Sequence, residues 1–500
     1  MRKIPSSMAS QHPDNASVPF WSKNSFISNS DEIKESFICF SDLGIDEYIW
    51  DWEGKFVDEA VVDKLLHDYY NYFSRYPLGK EKFLTFRIPN PRVEKQFRLA
   101  RAFMVAITNS QLMQNLGFED YPIFEMILPL TESAEELINI QEAFRQLVNN
   151  NHPLLKMKDS IQQIELIPLV EQVDKIMNTG QMIKKYITLH KKVFGKKPSY
   201  LRPFLARSDP ALNSGLVPTM LAIKVALSDI SRIQENEEIK LYPILGTGSL
   251  PFRGGVTPDL ISQTIKEYSG ASTLVIQSGF RYDYPKSKVK QAIKLLKTKL
   301  QKTKAETLNN KEVTAIQKII PLFEYSYKKT VEKLAPMINK LAPEFPNRRE
   351  RMQQIGLFGY SRSVGSVKLP RAITFTGLLY SLGIPPEIIA TGRGIRAAQK
   401  QRLWPEVSHM YKNLKNDLIR AGYFLNKANI EKLAKKIKVM EEIKDDINVL
   451  EETFSIELGP KNSLHLEHHD LANKVRERLM SKKKLSNLIT RGGLIRKSLG

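Results

Sequence analysis

The sequence predicts an α/β fold of the TIM, or (β/α)8, barrel type, with additional helices packed around the barrel. Short apolar stretches rich in β-branched and aromatic residues recur along the chain, and each ends in a polar or charged residue. Longer helical patterns separate most of these stretches, and strands that alternate with helices are typical of a parallel sheet. Eight such units are the number found in a (β/α)8 barrel. An open doubly wound sheet would begin with a similar pattern.

The predicted strands are all short and apolar, and they cover residues 47–52, 83–88, 123–130, 164–170, 201–207, 241–246, 273–279 and 354–360. Apolar residues at three- and four-residue steps predict helices between them, including residues 93–113, 135–148, 172–193 and 216–233. Further helices are predicted over residues 313–341 and over most of the chain after Ala372. We interpret residues 1–500 as one domain, with barrel strands between about 47 and 360 and a helical layer from about 372 to 500.

The bulk composition is that of a soluble globular protein. Of the 500 residues, 42% are hydrophobic and 26% are charged. No apolar run is long enough to cross a bilayer, and residues 1–15 lack the apolar core of a secretory signal. The single cysteine, Cys39, lies in an apolar run and is interpreted as a buried, inert thiol. We therefore expect a cytoplasmic protein.

The formal net charge of +21 permits two interpretations. A basic surface can bind nucleic acid or an anionic membrane. The lysines between residues 286 and 304 instead accompany apolar residues at helical spacing, which predicts an amphipathic surface helix. A second such helix is predicted over residues 430–447, and neither carries the interleaved aromatic residues that stack on bases. The pattern favours a solvated basic surface together with an anion-binding pocket, without nucleic-acid or membrane binding.

The barrel interpretation predicts where functional groups should lie, because the loops after the strands build the active site of such a barrel. The residues at or just after the predicted strand ends are mostly polar or charged: Asp51, Arg87, Glu132, Glu171, Asp209, Gly246, Arg281 and Arg362. Together with Arg371, several arginines close to one another would suit a substrate with more than one anionic group. The alternative is that most of them pair with surface carboxylates.

Glu171 and Asp209 end two successive predicted strands. Neighbouring parallel strands would bring both carboxylates to the same rim, where they repel each other unless a proton or a cation lies between them. Mg²⁺ prefers oxygen ligands and commonly takes one or two carboxylates together with water and substrate oxygens. The pair therefore predicts a magnesium site, and a salt bridge with the nearby Arg207 is the alternative.

A glycine-rich segment covers residues 246–255 and reads GTGSLPFRGG. Its glycines, Gly254 and Gly255 among them, would let the backbone approach an anion closely, and Arg253 adds a forked donor suited to phosphate. The spacing matches neither a Walker loop nor a dinucleotide-binding motif. A plain surface turn is the alternative.

The segment Gln11-His12-Pro13-Asp14-Asn15 places a histidine on a stiff, extended stretch, because proline restricts the residue before it. Histidine can act as acid or base near neutral pH. An ordinary histidine near a frayed terminus is the alternative. The group His465, His468 and His469 has helical spacing for a transition metal but no matching second cluster, so we expect no metal there.

Five segments together resemble the archaeal-type, short phosphoenolpyruvate carboxylases, and they are residues 11–15 (QHPDN), 46–55 (DEYIWDWEGK), 86–91 (FRIPNP), 202–215 (RPFLARSDPALNSG) and 278–285 (SGFRYDYP). The resemblance covers essentially the whole chain. It implies a TIM barrel that uses Mg²⁺, with Mn²⁺ as a substitute, to form oxaloacetate from phosphoenolpyruvate and bicarbonate. It also implies a homotetramer.

The resemblance implies roles for individual residues. His12 matches the catalytic histidine of the family, and Glu171 and Asp209 match its two metal-binding carboxylates. Arg253 matches the second arginine of the family's glycine-rich loop, and Arg87 resembles its substrate-binding arginine.

Further positions resemble substrate-binding groups near the end of the barrel. Gln277 resembles a glutamine in a late loop, and Arg362 and Arg371 resemble the two arginines of the last anion-binding segment. Gly500 matches a terminal glycine that lies near the active site.

One departure concerns the first half of the glycine-rich loop, which carries an arginine in the long enzymes of the family and reads Gly246-Thr247-Gly248 here. Arg281 or Arg207 is the candidate replacement. The chain is also too short for the regulatory insertions of the long enzymes, so control by aspartate or malate is not expected.

Two other functions remain as alternatives: a different Mg²⁺-dependent barrel enzyme acting on pyruvate or phosphoenolpyruvate, and a basic nucleic-acid-binding protein.

Overall fold

A computed structural model describes residues 2–94, 97–149, 160–350, 363–479 and 484–500. Its strands are β1 Ser7–Ala9, β2 Glu47–Asp51, β3 Phe83–Arg87, β4 Glu125–Leu128, β5 Glu165–Val170, β6 Tyr200–Leu201, β7 Phe204–Ala206, β8 Lys240–Leu241, β9 Ile244–Gly246, β10 Thr273–Ile276, β11 Ser363–Val364 and β12 Val367–Lys368. Eight of them close into a barrel in the order β1-β10-β9-β7-β5-β4-β3-β2, and every pair is parallel. The predicted TIM barrel is confirmed.

The first strand of the barrel is one that the hydrophobic pattern did not predict. Residues 7–9 pair with β10 in the register Ser7↔Leu274 and with β2 in the register Met8↔Glu47. They therefore fill the eighth place in the barrel, which the sequence analysis had given to residues 354–360. Those residues lie outside the described part of the chain. The other seven predicted strands each overlap a strand of the barrel.

Apolar side chains from the strands pack inside the barrel. This interior cluster consists of Met8, Ile49, Ile127, Ile167, Leu169, Phe204, Ala206, Ile244 and Val275. At the amino ends of the strands, Arg202 pairs with the carboxylates of Glu47 and Glu125 at 2.7 Å, and all three side chains are buried. Paired charges therefore close the barrel at the amino ends of its strands. The carboxyl ends, where the active sites of such barrels lie, are at the other side.

Helices cover the outside of the barrel. They are α1 Asn29–Ser41, α2 Val61–Phe73, α3 Phe97–Asn115, α4 Ala134–Val148, α5 Val173–Met177, α6 Thr179–Phe194, α7 Ser208–Ser214, α8 Leu216–Glu237, α9 Ile261–Glu267, α10 Ser278–Tyr282, α11 Lys286–Lys299 and α12 Asn310–Leu341. The expected helical layer follows, with α13 Ala372–Ser381, α14 Thr391–Lys400, α15 Trp404–Met410, α16 Leu414–Gly422, α17 Lys427–Ala434, α18 Met440–Phe454, α19 Ser463–Leu479 and α20 Ser486–Arg496.

One predicted helix was wrong in its extent. Residues 430–447 form parts of two helices, α17 and α18, and not one. Between them the amide of Lys436 donates to Leu433 at 2.9 Å and that of Met440 donates to Ile437 at 3.0 Å, which are tight three-residue turns. The apolar spacing continues through these turns, so periodicity alone could not reveal the break.

The single cysteine lies on α1 and is fully buried, as predicted. Burial raises the pKa of the Cys39 thiol to about 12. Because the thiolate is the reactive form, this cysteine is inert at neutral pH. No helix within the described ranges combines the length and the apolar character needed to span a membrane.

Candidate active site

A cavity opens at the carboxyl ends of the barrel strands. Its floor is the apolar top of the barrel, formed by Ile49, Leu169, Phe204, Ala206, Gly246 and Val275. Its wall carries the polar groups His12, Glu53, Arg87, Glu171, Arg207, Ser208, Asp209, Arg253, Gln277 and Arg371. A Cβ at Gly246 would lie 2.8 Å from Phe204 Cε2, so a larger residue at this point of the floor would displace the Phe204 ring.

Seven of the predicted site residues lie together around this cavity: His12, Arg87, Glu171, Asp209, Arg253, Gln277 and Arg371. They come from loops that are far apart in sequence and that meet because the strands before them are parallel. Arg371 is brought there by the start of α13, where it is the residue before the first helical turn.

His12 follows β1 directly and is fixed at both its ring and its backbone. Its Nδ1 lies 3.0 Å from Ser10 Oγ, and its carbonyl accepts a hydrogen bond of 2.8 Å from Ser278 Oγ. The amide of Ser10 donates to the carbonyl of Ile276 at 3.1 Å, which extends the pairing between β1 and β10. The interpretation of His12 as a residue near a frayed terminus is therefore wrong.

Glu171 and Asp209 follow β5 and β7, which are neighbours in the barrel, as the metal-site prediction required. The amide of Leu130 donates to Glu171 Oε2 at 3.0 Å and fixes that carboxylate. Within the described residues no group of three or more potential metal ligands forms. Two carboxylates beside an open cavity fit a divalent cation such as Mg²⁺ that takes its other ligands from water and substrate.

Arg87 ends β3 and is paired with two carboxylates. Its Nε and Nη2 donate to Asp51 at 2.8 and 2.7 Å, and its Nη1 lies 2.9 Å from Glu53 Oε2. Burial alone would raise the pKa of Asp51, but the Arg87 guanidinium holds that pKa well below its usual range. Asp51 is thus a fixed anion that orients Arg87, while Glu53 lies in the cavity wall itself.

The glycine-rich segment follows β9 and folds back on itself. A 3₁₀ turn covers Pro251–Arg253, and the amide of Gly248 donates to the carbonyl of Arg253 at 2.7 Å. Gly254 has φ of +121°, and a Cβ there would lie 3.1 Å from that of Thr247. This turn directs the Arg253 side chain into the cavity.

Glu387, outside the barrel, holds the same loop from behind. Its Oε1 accepts from the Phe252 amide and from the Tyr380 hydroxyl, both at 2.7 Å. Burial raises the pKa of Glu387 to about 7, although these hydrogen bonds lower it. The loop is therefore supported by a carboxyl group that is partly protonated near neutrality.

Arg253 is buried, and its guanidinium is held by three partners. Nη1 donates to Asp14 Oδ2 at 3.3 Å and to the main-chain oxygen of Gly500, and Nη2 donates to Gln277 Oε1. Burial lowers the pKa of Arg253, and Asp14 and Asp209 oppose that shift. Arg253 thus connects the glycine-rich loop, the late loop with Gln277 and the last residue of the chain.

Other predicted residues do not lie at the cavity. Gly254 and Gly255 face away from it, towards Thr247 and Arg420. Arg281 is buried, and it donates to the carbonyls of Ser10 and Ile276 and to Glu35, so it supports the strand ends instead. Arg362 lies outside the described residues.

Of the two candidates for the missing loop arginine, only Arg207 reaches the cavity wall. Its Nη1 donates to the carbonyl of Phe252 at 3.2 Å, so it supports the glycine-rich loop directly. Burial would lower the pKa of Arg207, but the neighbouring Tyr268, Tyr411 and Asp417 raise it.

The sequence analysis missed two groups, Asp14 and Glu53. Asp14 stands in the His-Pro segment, and its position directly after Pro13 is the sequence signal for a fixed carboxylate. Glu53 lies two residues beyond a strand end and carried no separate signal. In α19, His468 Nε2 lies 2.6 Å from Arg496 Nη1. Within the described residues, no three His, Cys, Asp or Glu side chains are grouped so that they could hold a metal ion.

Comparison with known proteins gives a consistent result. The family model described as phosphoenolpyruvate carboxylase matches residues 4–500. The phosphoenolpyruvate carboxylase of Oenococcus oeni is 39% identical over 477 residues, with 94% of this chain and 94% of the relative covered. That of Metallosphaera sedula is 37% identical with 100% of both chains covered. That of Pyrococcus horikoshii is 38% identical, with 89% of this chain and 94% of the relative covered.

Proposed function

The chain belongs to the phosphoenolpyruvate carboxylase family, and on this basis we propose that its cavity joins bicarbonate to phosphoenolpyruvate to form oxaloacetate and phosphate. The observation that supports this site most strongly is the convergence of four arginines, a histidine and three carboxylates at the open end of one barrel. Phosphoenolpyruvate carries a phosphate and a carboxylate, and both need cationic partners once they leave water.

The reaction divides into two half-reactions. A bicarbonate oxygen attacks the phosphorus, the bond from phosphorus to the enol oxygen breaks, and carboxyphosphate and the enolate of pyruvate result. Carboxyphosphate then gives CO₂ and phosphate, and the enolate carbon adds to CO₂ to form oxaloacetate. The cavity must therefore stabilise negative charge on the phosphoryl group first and on the enolate afterwards.

In the first half-reaction, Arg253 and Arg87 would hold the phosphoryl group. Arg253 is suited to this role because its orientation is already fixed by Asp14 and Gln277, so little reorganisation is needed. Arg87 is oriented by Asp51 in the same way. Glu53 competes with substrate for Arg87 Nη1, so substrate binding would require Glu53 to give up that contact.

In the second half-reaction, His12 would accept the proton of carboxyphosphate, and Arg371 would hold CO₂ against the enolate. In the tautomer whose Nδ1–H donates to Ser10 Oγ, Nε2 carries the lone pair that would accept this proton. The apolar floor below these groups would keep water from protonating the enolate to pyruvate.

Glu171 and Asp209 would hold the divalent metal that the family generally uses, and we propose Mg²⁺, with Mn²⁺ as a substitute. The bound cation would supply positive charge for the enolate and carboxylate oxygens of the substrate. We also propose a cytoplasmic homotetramer in which each chain forms one catalytic domain.

The first experiment is coupled detection of oxaloacetate from purified protein, phosphoenolpyruvate, bicarbonate and Mg²⁺, with and without EDTA. Oxaloacetate that depends on both bicarbonate and metal supports the proposed reaction. Folded, Mg²⁺-loaded protein without oxaloacetate would contradict it, and pyruvate-forming and aldol reactions would then be assayed on the same preparation.

A further inference from the structure

Asp14 does not line the cavity, but it contacts Arg253, which does. Its side chain is completely buried. Oδ1 accepts from the Gly279 amide at 2.6 Å and from Ser278 Oγ at 3.2 Å, and Oδ2 accepts from Arg253 Nη1 at 3.3 Å. Ser249 Oγ lies 3.5 Å from the same Oδ2.

The backbone of Asp14 binds a fourth segment. Its carbonyl accepts from the Leu499 amide at 2.7 Å and from Ser498 Oγ at 3.2 Å. Ser498 Oγ also donates to the main-chain oxygen of Gly500, which is itself a partner of Arg253. Asp14 therefore connects the His-Pro segment, the glycine-rich loop, the start of α10 and the last residues of the chain.

The electrostatic setting gives Asp14 a more specific role than that of a structural link. Besides Asp14, the Arg253 guanidinium contacts the amide oxygen of Gln277 and, at 2.5 Å, a terminal main-chain oxygen of Gly500. Among the described residues, Asp14 is the side-chain carboxylate that pairs directly with Arg253. An anion that enters the cavity to reach Arg253 must approach against the charge of Asp14.

We infer that Asp14 is a positioning residue that acts through Arg253 in two ways, an inference that rests on the proposed function. It fixes the direction of the guanidinium, which supports turnover. It also lowers the affinity of Arg253 for phosphate, the product that must leave this subsite. A residue that only held the loops together would do the first and not the second.

The test is the isosteric substitution Asp14→Asn, with phosphate affinity measured by calorimetry in EDTA so that neither turnover nor metal contributes. Removing one negative charge within several ångströms of the bound anion should tighten phosphate binding by about tenfold. The kcat for oxaloacetate formation should fall by at least about tenfold, because Arg253 loses its fixed orientation.

The matched control is Asp283→Asn. Asp283 is also buried and anchors the same N-terminal segment, by accepting from the amides of Ala16 and Ser17 at 2.8 and 2.6 Å. Within the described residues Arg253 contacts Asp14, Gln277 and Gly500 and not Asp283. Substitution of Asp283 therefore loosens the segment without changing the charge beside the arginine. We expect phosphate affinity in this variant to stay within about twofold of the unsubstituted protein.

Unchanged or weaker phosphate binding in Asp14→Asn would overturn the inference, as would an unchanged kcat. Tighter binding in both variants would also overturn it, because the effect would then belong to the segment as a whole. Phosphate affinity is measured without turnover, so this result stays separate from whether the protein makes oxaloacetate.

Should Asp14→Asn fail to fold, phosphate at high concentration should restore folding, because the added anion replaces the missing charge beside Arg253. Failure of phosphate to restore it would count against the inference. Asp14→Glu provides a further check, since it keeps the charge but displaces it by one methylene. It should lower kcat while phosphate affinity stays within about twofold.

Discussion

His12 is held by Ser10 through its ring and by Ser278 through its carbonyl. If it accepts the proton of carboxyphosphate, His12→Asn should leave cleavage of phosphoenolpyruvate largely intact. Oxaloacetate formation should fall by about 10²-fold or more, the usual contribution of general acid–base catalysis. The measurement compares phosphate release with oxaloacetate formation in one reaction.

Two results would contradict this role for His12. Oxaloacetate formation at the unsubstituted rate would exclude it from proton transfer. Equal loss of phosphate and oxaloacetate would place it in phosphoryl transfer. Ser10→Ala is the matched control, because it removes the ring contact and keeps the imidazole, and it should reduce the rate by a smaller factor.

The proposed role of Asp209 as a metal ligand can be tested in a similar way. Asp209→Asn keeps the size of the side chain but removes one of only two proposed charged ligands, so we expect Mn²⁺ to bind more weakly by about tenfold or more. Both half-reactions should slow together. Titration with Mn²⁺ followed by electron paramagnetic resonance gives the affinity, and unchanged affinity would remove Asp209 from the metal site.

Residue types at strand ends were a good guide to position and a poor guide to role. Arg87, Glu171 and Asp209 reach the cavity as the strand-end rule predicts, and Arg253 reaches it from the loop after Gly246. Arg281 is also a charged residue just after a predicted strand, yet its side chain turns away from the cavity and pairs with Glu35. The direction of an arginine depends on where a buried carboxylate lies in space, and a sequence does not give that position.

At the scale of elements, Glu35 attaches helix α1 to the barrel. Its carboxylate contacts Arg281 at 2.9 Å and Arg349 at 2.8 Å and accepts from the hydroxyls of Tyr48 and Tyr282. Burial would raise the pKa of Glu35, but the two arginines lower it to about 2. Glu35 is thus ionised at ordinary pH values, and its contacts with Arg281 and Arg349 are ion pairs.

Glu35→Gln should lower the free energy of unfolding by about 3–5 kcal/mol, because two buried guanidinium groups lose their shared anion. Urea unfolding at pH 7 measures the change. Glu81→Gln is the control, since the pair of Lys3 and Glu81 is about half exposed and should contribute less than about 1 kcal/mol. Equal effects in the two variants would show that the buried cluster does not hold α1.

The glycine-rich loop depends on Glu387 in a way that pH should reveal. Its pKa is raised by burial from 4.5 to about 7, so the folded state holds a proton that the unfolded state has lost between those values. The stability that this proton contributes is complete below pH 4.5 and is lost as the pH rises through 7.

Glu387→Gln should therefore become more stable relative to the unsubstituted protein as the pH rises from 5 to 8.5, by on the order of 3 kcal/mol. The amide resembles the protonated carboxyl, and Oε2 of Glu387 has no hydrogen-bond partner among the residues described. Urea unfolding across this pH range measures the difference. A difference that stays constant with pH would contradict the raised pKa.

Among the elements, periodicity predicted seven barrel strands but not β1. Three residues are too few to show a period, and β1 is recognised only by its pairing with strands 39 and 267 residues further along the chain, as in Met8↔Glu47 and Ser7↔Leu274. The same limit explains the break between α17 and α18, where apolar spacing continues through a turn. Local pattern records which face of an element is buried and not whether the backbone stays regular.

At the scale of the whole molecule, the net charge of +21 is divided as the sequence analysis favoured. Lysines of α11 lie at the surface, where Lys286 pairs with Asp42 and Lys288 with Asp259. Arg87, Arg253 and Arg371 surround the cavity. Total charge does not distinguish these cavity arginines from the buried structural ones.

The proposed homotetramer is also a prediction about the whole molecule. Four chains of 57.3 kDa would sediment with a mass near 229 kDa. Sedimentation velocity at several protein concentrations gives this mass. A species near 57 kDa at micromolar concentration would contradict the assembly.

The place of β1 between β2 and β10 has a consequence for protein synthesis. The strand that leaves the ribosome first cannot complete its pairing until Thr273–Ile276 have been made, about 15–50 s later at usual rates of elongation. Until then the nascent sheet has two open edges, which are sites for pairing with other chains. His12 and Gln277 meet only when the barrel closes, so a chain released before that point would have no partial activity.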